Sequence, residues 1–396
     1  MLNANGERAL AYVAKVEWVK PIEGADNIEL IGIKGWTCIA KIGEFKENDL
    51  CVYFEIDSKL PAKEWSTFME KRNYKVKTMK LGKFGVVSQG LALPLDVFTE
   101  KFAAEEDTDV TEILGVTYHN AEDNARKSNK SNKYQSMIDR KPKIFKNKFV
   151  KIIMRFELGR RIMFKLFGKK SDNKSFPTHF PYIHKTDEER VENMTWILHN
   201  KNPWIVTTKV DGTSSTYILE RKHKKNEFYV LSRNIRQFSE DTSNWHNTNT
   251  GLSSNVYWDM AKKYKIQEFL QAMLDKHPEW TYVCIQGETA GPGLQGNPHK
   301  LKEVKFYGYN FIDSEKGRWN SEESAKLCSE YNIPWVPIIS TNYILPDTLE
   351  ELKNQADGPC EVEGASGLRE GYVYRSLDGV TSFKNVSNKY LLSRKE

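Results

Sequence analysis

Over the first 115 residues, apolar positions alternate with polar ones or run in short blocks. AYVAKVEWV (11–19), IELIGIKGWTCIAKI (28–42) and LCVYFEI (50–56) are separated by Gly, Asp and Asn. That pattern predicts strands joined by turns. GEFKENDL (43–50) supplies a turn, and SQGLALPL (88–95) a further strand whose Pro94 marks its end or a sheet edge. No amphipathic helix interrupts the series, so a small β-barrel is expected.

AAEEDTD (103–109) and SNKSNKYQS (128–136) then mark a boundary. Beyond about residue 176 the period changes repeatedly. WIVTTKV (204–210), STYILER (215–221), EFYVLSR (227–233), TYVCIQGE (281–288), EVKFYGYNFID (303–313), EGYVYRS (370–376) and TSFKNVS (381–387) predict strands. Helical spacing appears over 256–276, 321–331 and 347–356, the last opened by the capping box Asp347-Thr348-Leu349-Glu350. A second capping box, Thr186-Asp187-Glu188-Glu189, predicts a helix running to about Glu192. The fold class is therefore α+β, a β-barrel followed by a domain of mainly antiparallel sheets with flanking helices. The expected division is 1–115 for the barrel, 116–175 for a linker or insert and 176–396 for the second domain.

Charge sharpens this division. The 396 residues carry a formal net charge of +6, yet residues 126–174 alone hold 17 Lys or Arg against 3 acids. The remaining chain is acidic, so a single segment makes the protein basic and points to a polyanion as partner, unless the segment is merely a solvated insert. Within it, FVKIIMRFELGRRIMFKLFGKK (149–170) has apolar residues at roughly helical spacing, which predicts an amphipathic basic helix. No run of eighteen apolar residues occurs, and MLNANGERALAYV lacks the charged and apolar regions of a secretory leader. The protein is expected inside the cell, in cytoplasm or nucleus. Its five cysteines form no CxxC pair, so neither a disulfide framework nor a structural zinc site is expected.

The chemistry concentrates at strand ends. Lys209-Val210-Asp211-Gly212 closes one predicted strand, and KxDG alone would occur by chance about 0.1 times in such a chain. By itself it reads as an ordinary strand-to-turn Asp-Gly. Further elements follow in order: Ser232-Arg233-Asn234, then Gln286-Gly287-Glu288 with the turn AGPGLQGNP (290–298), Phe306-Tyr307-Gly308-Tyr309, Glu370-Gly371-Tyr372 and Ser382-Phe383-Lys384. An amine that attacks a nucleotide phosphate must lose its proton, whereas an ordinary lysine titrates near 10.4. A nearby cation such as Lys384, together with a bound divalent metal, would lower that value. Asp211, Glu288 and Glu370 are hard-oxygen candidates for the metal, directly or through water. Arg233 and Lys384 are candidates for the phosphates. Phe306 offers a ring for the base, although Tyr307 and Tyr309 point from the opposite face and either set can be core. His299, in the turn after Glu288, reads as a solvated turn residue.

The six motifs, taken together and in order over 209–384, resemble the covalent nucleotidyltransferase superfamily of ATP-dependent ligases and mRNA capping enzymes. The resemblance implies that Lys209 is the nucleophile that forms a lysyl-nucleotide. It implies catalytic roles for Asp211, Arg233 and Lys384, and nucleotide contacts from Lys209, Gly212, Arg233, Glu288, Phe306, Glu370 and Lys384. Asp211, Glu288 and Glu370 are the implied metal-site acids. The last motif departs from the KxK common among RNA ligases, since Asn385-Val386 follows Lys384. Lys389 or Lys302 takes the second cation's place, or the step it serves differs.

PIEGADNIE (21–29), GEFKENDLCVYFEIDSKLP (43–61), SQGLALPL (88–95) and His184-Lys185-Thr186-Asp187-Glu188-Glu189-Arg190 resemble one branch, the ATP-dependent RNA ligases with an N-terminal OB-fold domain. That branch implies ATP and Mg²⁺ or Mn²⁺ as cofactors and a 5′-phosphate and 3′-hydroxyl as the ends joined. RNA is the implied partner, in a nicked duplex with an RNA 3′-hydroxyl strand, and no obligate protein partner is expected. The OB module would dock nucleic acid, with Trp18, Trp36 and Tyr53 available on the barrel, although a core role suits at least two of them. A GTP-dependent RNA capping guanylyltransferase, an ATP-dependent DNA ligase and a non-catalytic nucleic-acid-binding protein are the alternatives at this point.

Overall fold

The computed structural model describes residues 9–118, 150, 163, 177–184, 186–237 and 255–394. The basic helix expected over 149–170 lies outside the described residues, Val150 and Met163 apart.

The N-terminal strands are β1 (Ala11–Lys15), β2 (Trp18–Pro21), β3 (Ile28–Ile33), β4 (Trp36–Lys41) and β5 (Leu50–Phe54), then the short β6 (Ser58–Lys59), β7 (Met79–Leu81), β8 (Val86–Ser88), β9 (Leu91–Pro94) and β10 (Thr117–Tyr118). They pair antiparallel in the orders β1-β5-β9 and β2-β3-β4. Alternation decides the packing. Tyr12, Ala14, Cys51 and Tyr53 join Ile31, Trp36 and Cys38 in one core, while Val13, Val52 and Phe54 face a second core with Leu60 and Leu114. Both faces of β1 and β5 are covered, which explains why those strands read as near-continuous apolar blocks. Trp36 and Tyr53 are thus core residues, whereas Trp18 is half-buried and lies across Gly32, with the Lys20 ammonium 4.8 Å above its ring. One long predicted strand, 28–42, is in fact a hairpin turning at Lys34-Gly35, both at positive φ. That hairpin meets the second domain: Trp36 Nε1 donates to Asn193 Oδ1 at 2.8 Å.

The second domain is built on two sheets. β11 (Glu189–Arg190), β12 (Trp204–Lys209), β18 (Ile338–Tyr343), β19 (Gly371–Ser376) and β20 (Ser382–Val386) form one, in the order β11-β20-β19-β12-β18. β13 (Thr213–Glu220), β14 (Glu227–Ser232), β15 (Tyr282–Ala290), β16 (Lys305–Asp313) and β17 (Gly317–Arg318) form the other, in the order β14-β13-β15-β16-β17. All neighbours are antiparallel except β11 and β20. The expected 256–276 helix is two helices, Val256–Lys263 and Ile266–Lys276, broken where Lys265 takes a left-handed conformation. They bury Met260, Phe269, Leu270 and Met273 against Tyr217, Ile285 and Phe311 of the second sheet. The helix Leu349–Gln355 is capped by the Thr348 side chain, one residue later than its sequence signature. Among the described residues, no helix is long and apolar enough to cross a membrane. The five cysteines are buried and unpaired.

The capping box at 186–189 opens no helix. Its side chains are committed elsewhere: Thr186 Oγ1 pairs with the Tyr309 hydroxyl at 2.8 Å, and Asp187 meets Arg233 and Lys384. Glu188 meets Arg375 at 3.3 Å and accepts from Ser382. The chain stays extended and adds β11 to the sheet edge, because these tertiary partners outcompete the local cap.

Candidate functional site

The turn Val210–Gly212 carries the chain from β12 in one sheet to β13 in the other, and a cavity of about 570 Å³ lies between them. One wall brings Lys209, Val373, Arg375 and Lys384; the other brings Ser214, Glu288 and Tyr309. Gly212 is required at this crossing, since a Cβ there would sit 2.2 Å from the Thr289 carbonyl oxygen. Of the residues singled out in the sequence, Lys209, Asp211, Gly212, Arg233, Glu288, Glu370 and Lys384 all line the cavity.

Lys209 Nζ is 2.7 Å from Glu370 Oε2. Burial alone would lower the pKa of the Lys209 ammonium, but the carboxylates of Glu370, Glu288 and Asp211 outweigh it and hold the amine above its ordinary value. Glu288 has the opposite problem. Burial, reinforced by Glu370 and Asp211 and only partly relieved by Lys209, pushes its carboxyl up to about 8. Asp211 turns toward the C-terminal helix Asn388–Ser393: its Oδ2 accepts from the Tyr390 hydroxyl and lies 3.7 Å from Arg394.

The described residues contain no group of three or more His, Cys, Asp or Glu side chains placed to hold a metal directly. As direct ligands, then, Asp211, Glu288 and Glu370 do not converge. The Tyr390 bond explains why Asp211 stands apart. Three acids around one lysine leave one of them, the Glu288 carboxyl, resisting ionisation. That donor set suits a hard divalent cation that keeps its water shell.

At the other end of the cavity the charges reverse. Lys384 Nζ and Arg233 each stand 2.9 Å from a different oxygen of Asp187. Burial lowers the pKa of the Lys384 ammonium despite Asp187, and Lys209 adds to the lowering. Burial would raise the Asp187 carboxyl, but Lys384 and Arg233 hold it below the usual range. Arg190 pairs in register with Lys384 across β11 and β20 and also lines the cavity. Neither Lys389 nor Lys302 lines it: Lys389 is largely exposed and meets Asp357 at 3.7 Å. The cation beside Lys384 comes from a different strand, not from a KxK run.

Phe306 does not face the cavity. It is fully buried beneath the sheet with Tyr217, Ile285 and Phe311, and Tyr309 is the aromatic on the cavity wall. Tyr309 lies on the face opposite Phe306, as alternation from Phe306 has it; the register shift opposite Gln286 and Gly287 leaves Tyr309 as an extra residue between Gly308 and Asn310, and past it Phe311 returns to the Phe306 side. Arg375 reaches across from the facing sheet and donates to the Tyr309 carbonyl at 2.8 Å.

His299 is not a solvated turn residue. It is fully buried, and its Nε2 accepts from the Asp211 backbone N–H at 2.8 Å. Burial lowers its pKa and keeps the ring neutral.

An OB-fold domain model matches residues 10–95, and an RNA ligase model matches residues 202–391. No curated protein sequence matches the chain. Among solved structures, a Naegleria gruberi RNA ligase with a glutamate-to-alanine substitution, bound to ATP and Mn, is 30% identical; the match covers 98% of this chain and 100% of that one at a TM-score of 0.67. An aspartate-to-alanine form without ligand is 30% identical over 97% of each chain, at a TM-score of 0.66. A lysine-to-methionine form with AMP and Mn is 29% identical over 98% and 99%, at 0.67. In these structures the substituted positions include a lysine two residues before an aspartate and a glutamate fourteen residues before a lysine. Lys209 and Asp211, and Glu370 and Lys384, stand at the same spacings.

Proposed function

Because the chain belongs to the RNA ligase family, in the group with an OB-fold domain ahead of the ligase domain, we propose that it seals RNA ends through a covalent lysyl-AMP on Lys209. It is an ATP-dependent polynucleotide ligase, and the ends it joins are a 5′-phosphate and a 3′-hydroxyl held in a nicked duplex. The observation that carries the reading is the convergence of Lys209, Glu288, Glu370, Arg233 and Lys384 on one cavity.

The reaction has three steps. Lys209 Nζ attacks the α-phosphorus of ATP, and the bond to pyrophosphate breaks. The 5′-phosphate of an RNA end then attacks the lysyl-AMP, which frees Lys209 and leaves AMP in a 5′–5′ linkage. Last, the 3′-hydroxyl attacks that end, AMP departs and a phosphodiester forms.

Each step asks something different of the cavity. Lys209 must become neutral, and what opposes this is the field of the surrounding acids, Glu370 foremost, rather than burial. A divalent cation, when bound, supplies positive charge to those carboxylates and to the phosphates. Glu288, Glu370 and Asp211 would hold it through its water. Tyr309 on one wall and Val373 on the other offer a ring and an apolar face to the base. Arg233, Lys384 and Arg190 meet phosphate charge, and Asp187 must yield its two cations as that charge arrives. The barrel hairpin packed on Asn193 sets the OB domain beside this end of the cavity, where it would receive the duplex.

The test is to incubate the protein with magnesium or manganese and α-labelled ATP or GTP, and to follow label that survives denaturation. Label from ATP alone, absent in Lys209→Ala, is the expected result. Label from GTP would move the reading to capping. A preadenylylated nick should then be sealed faster than the same ends in single strands; equal rates would remove the duplex preference.

A further inference from the structure

His299 is tied to both members of the Lys209–Glu370 pair, from behind and at the same distance along the chain. Its Nε2 accepts from the N–H of Asp211, two residues after Lys209. Because that nitrogen accepts, the neutral ring carries its proton on Nδ1, which donates at 3.2 Å to the carbonyl of Leu368, two residues before Glu370. The residue's own carbonyl accepts from the N–H groups of Ser366 and Gly367 at 3.1 and 3.2 Å. The packing leaves no slack: a Cβ on Gly367 would lie 2.2 Å from the Pro298 carbonyl oxygen. The His299 ring also stacks on Tyr390, with centroids 6.2 Å apart and planes at 24°, and Tyr390 donates to Asp211. One side chain therefore joins four segments: the Lys209 turn, the loop after Glu288, the approach to Glu370 and the C-terminal helix.

We propose that His299 is a positioning residue for nucleotide transfer, fixing the Lys209 turn against the Glu370 strand through its two ring hydrogen bonds. It touches neither nucleotide nor metal. Its buried ring lies behind the cavity wall, so its loss should alter how Lys209 is aimed and leave ATP binding intact. Misaiming a nucleophile by a fraction of an ångström to an ångström costs on the order of 10- to 100-fold in rate. The inference rests on the ligase reading given above.

The test uses the full chain with α-labelled ATP and magnesium, measuring the rate of covalent labelling against ATP concentration and the melting temperature of each variant. His299→Phe removes both bonds, His299→Gln keeps an acceptor toward Asp211, and His299→Asn keeps a donor toward Leu368. The Phe variant is expected to lose about 30-fold in kcat with KM changed less than about threefold. The Gln variant should recover most of that loss, and the Asn variant less. Wild-type kcat in a folded Phe variant would overturn the proposal, as would a loss confined to KM. Should the Phe variant not fold, equal rates for the Gln and Asn variants would overturn it instead. A wild-type protein that takes no label would defeat the ligase reading first, so the two failures are distinct.

Discussion

The two ends of the cavity are mirror problems in electrostatics. Around Lys209, three acids surround one amine, buried enough that the Glu288 carboxyl is pushed up to about 8. Around Asp187, two cations converge on one carboxylate that remains well exposed. The acid end holds a carboxyl that ionises only when further positive charge arrives, and the basic end lacks negative charge. Nucleoside triphosphate with a divalent cation is one ligand that corrects both at once. The difference in burial also says where the energy lies: the buried acid end responds strongly to a missing partner, while the exposed Asp187–Arg233 pair is weakened by solvent screening.

If the basic end serves the phosphates, Lys384→Ala should give the largest effect among the surrounding residues, a fall of about 100-fold in covalent labelling by ATP. A loss under threefold would break the assignment of that end. The walls come next. Tyr309→Ala should raise KM for ATP about tenfold, since it removes the ring facing the base. Phe306→Leu should leave KM alone and cost about 1 kcal/mol in an unfolding measurement, as a small change beneath the sheet. The reverse pattern would return Phe306 to the cavity.

The acid end can be tested by its protons. With its carboxyl pushed up to about 8, Glu288 is mostly protonated at pH 7 in the metal-free protein. Metal binding measured calorimetrically in buffers of different ionisation enthalpy should release a proton at pH 7, much less at pH 9, and none from this site in Glu288→Gln. The linked stability has a definite sign. Folded Glu288 binds its proton more tightly than an unfolded glutamate near 4.5, so the metal-free fold holds the extra proton between those values. Its melting temperature should therefore fall as pH rises from about 5 to 8, and less so in Glu288→Gln. The smallest effect belongs to Asp187→Asn. Freeing Arg233 and Lys384 from an exposed competitor should lower KM for ATP about threefold, with the gain shrinking as salt is added. A rise in KM would show that Asp187 orders those cations instead of occupying them.

What could be read from the sequence, and what could not, follows the same physical line. Strands with a clear period carry or adjoin Lys209, Glu288, Glu370 and Lys384, and the two sheets those strands build face each other across one cavity. Thr186–Glu189 misled because its polar side chains satisfy a local cap and a set of distant partners equally well on paper, and only the fold chooses between them. At Phe306 the period separates its face from that of Tyr307 and Tyr309 but does not say which face is covered, and only the helices packed beneath the sheet decide that Phe306 is core and Tyr309 meets the cavity. His299 was invisible for a third reason. A histidine among Gly, Pro and Asn looks like solvent-exposed turn, and nothing in the local pattern announces that three other segments close over it. The second lysine absent from the Lys384 strand leaves no gap in space, because Arg190 approaches Lys384 from the parallel neighbour β11.

The crossing of the chain from β12 to β13 at Lys209–Gly212 has a mechanical meaning as well. If the two sheets open like the covers of a book, the spine passes close to the nucleophile, and points far from it sweep the longest arcs. A nucleotide carried on Lys209 would then ride near the pivot while the outer edges part to release pyrophosphate and admit an RNA end. Attaching the cargo at the point of least travel lets the same aim survive an open and a closed cover.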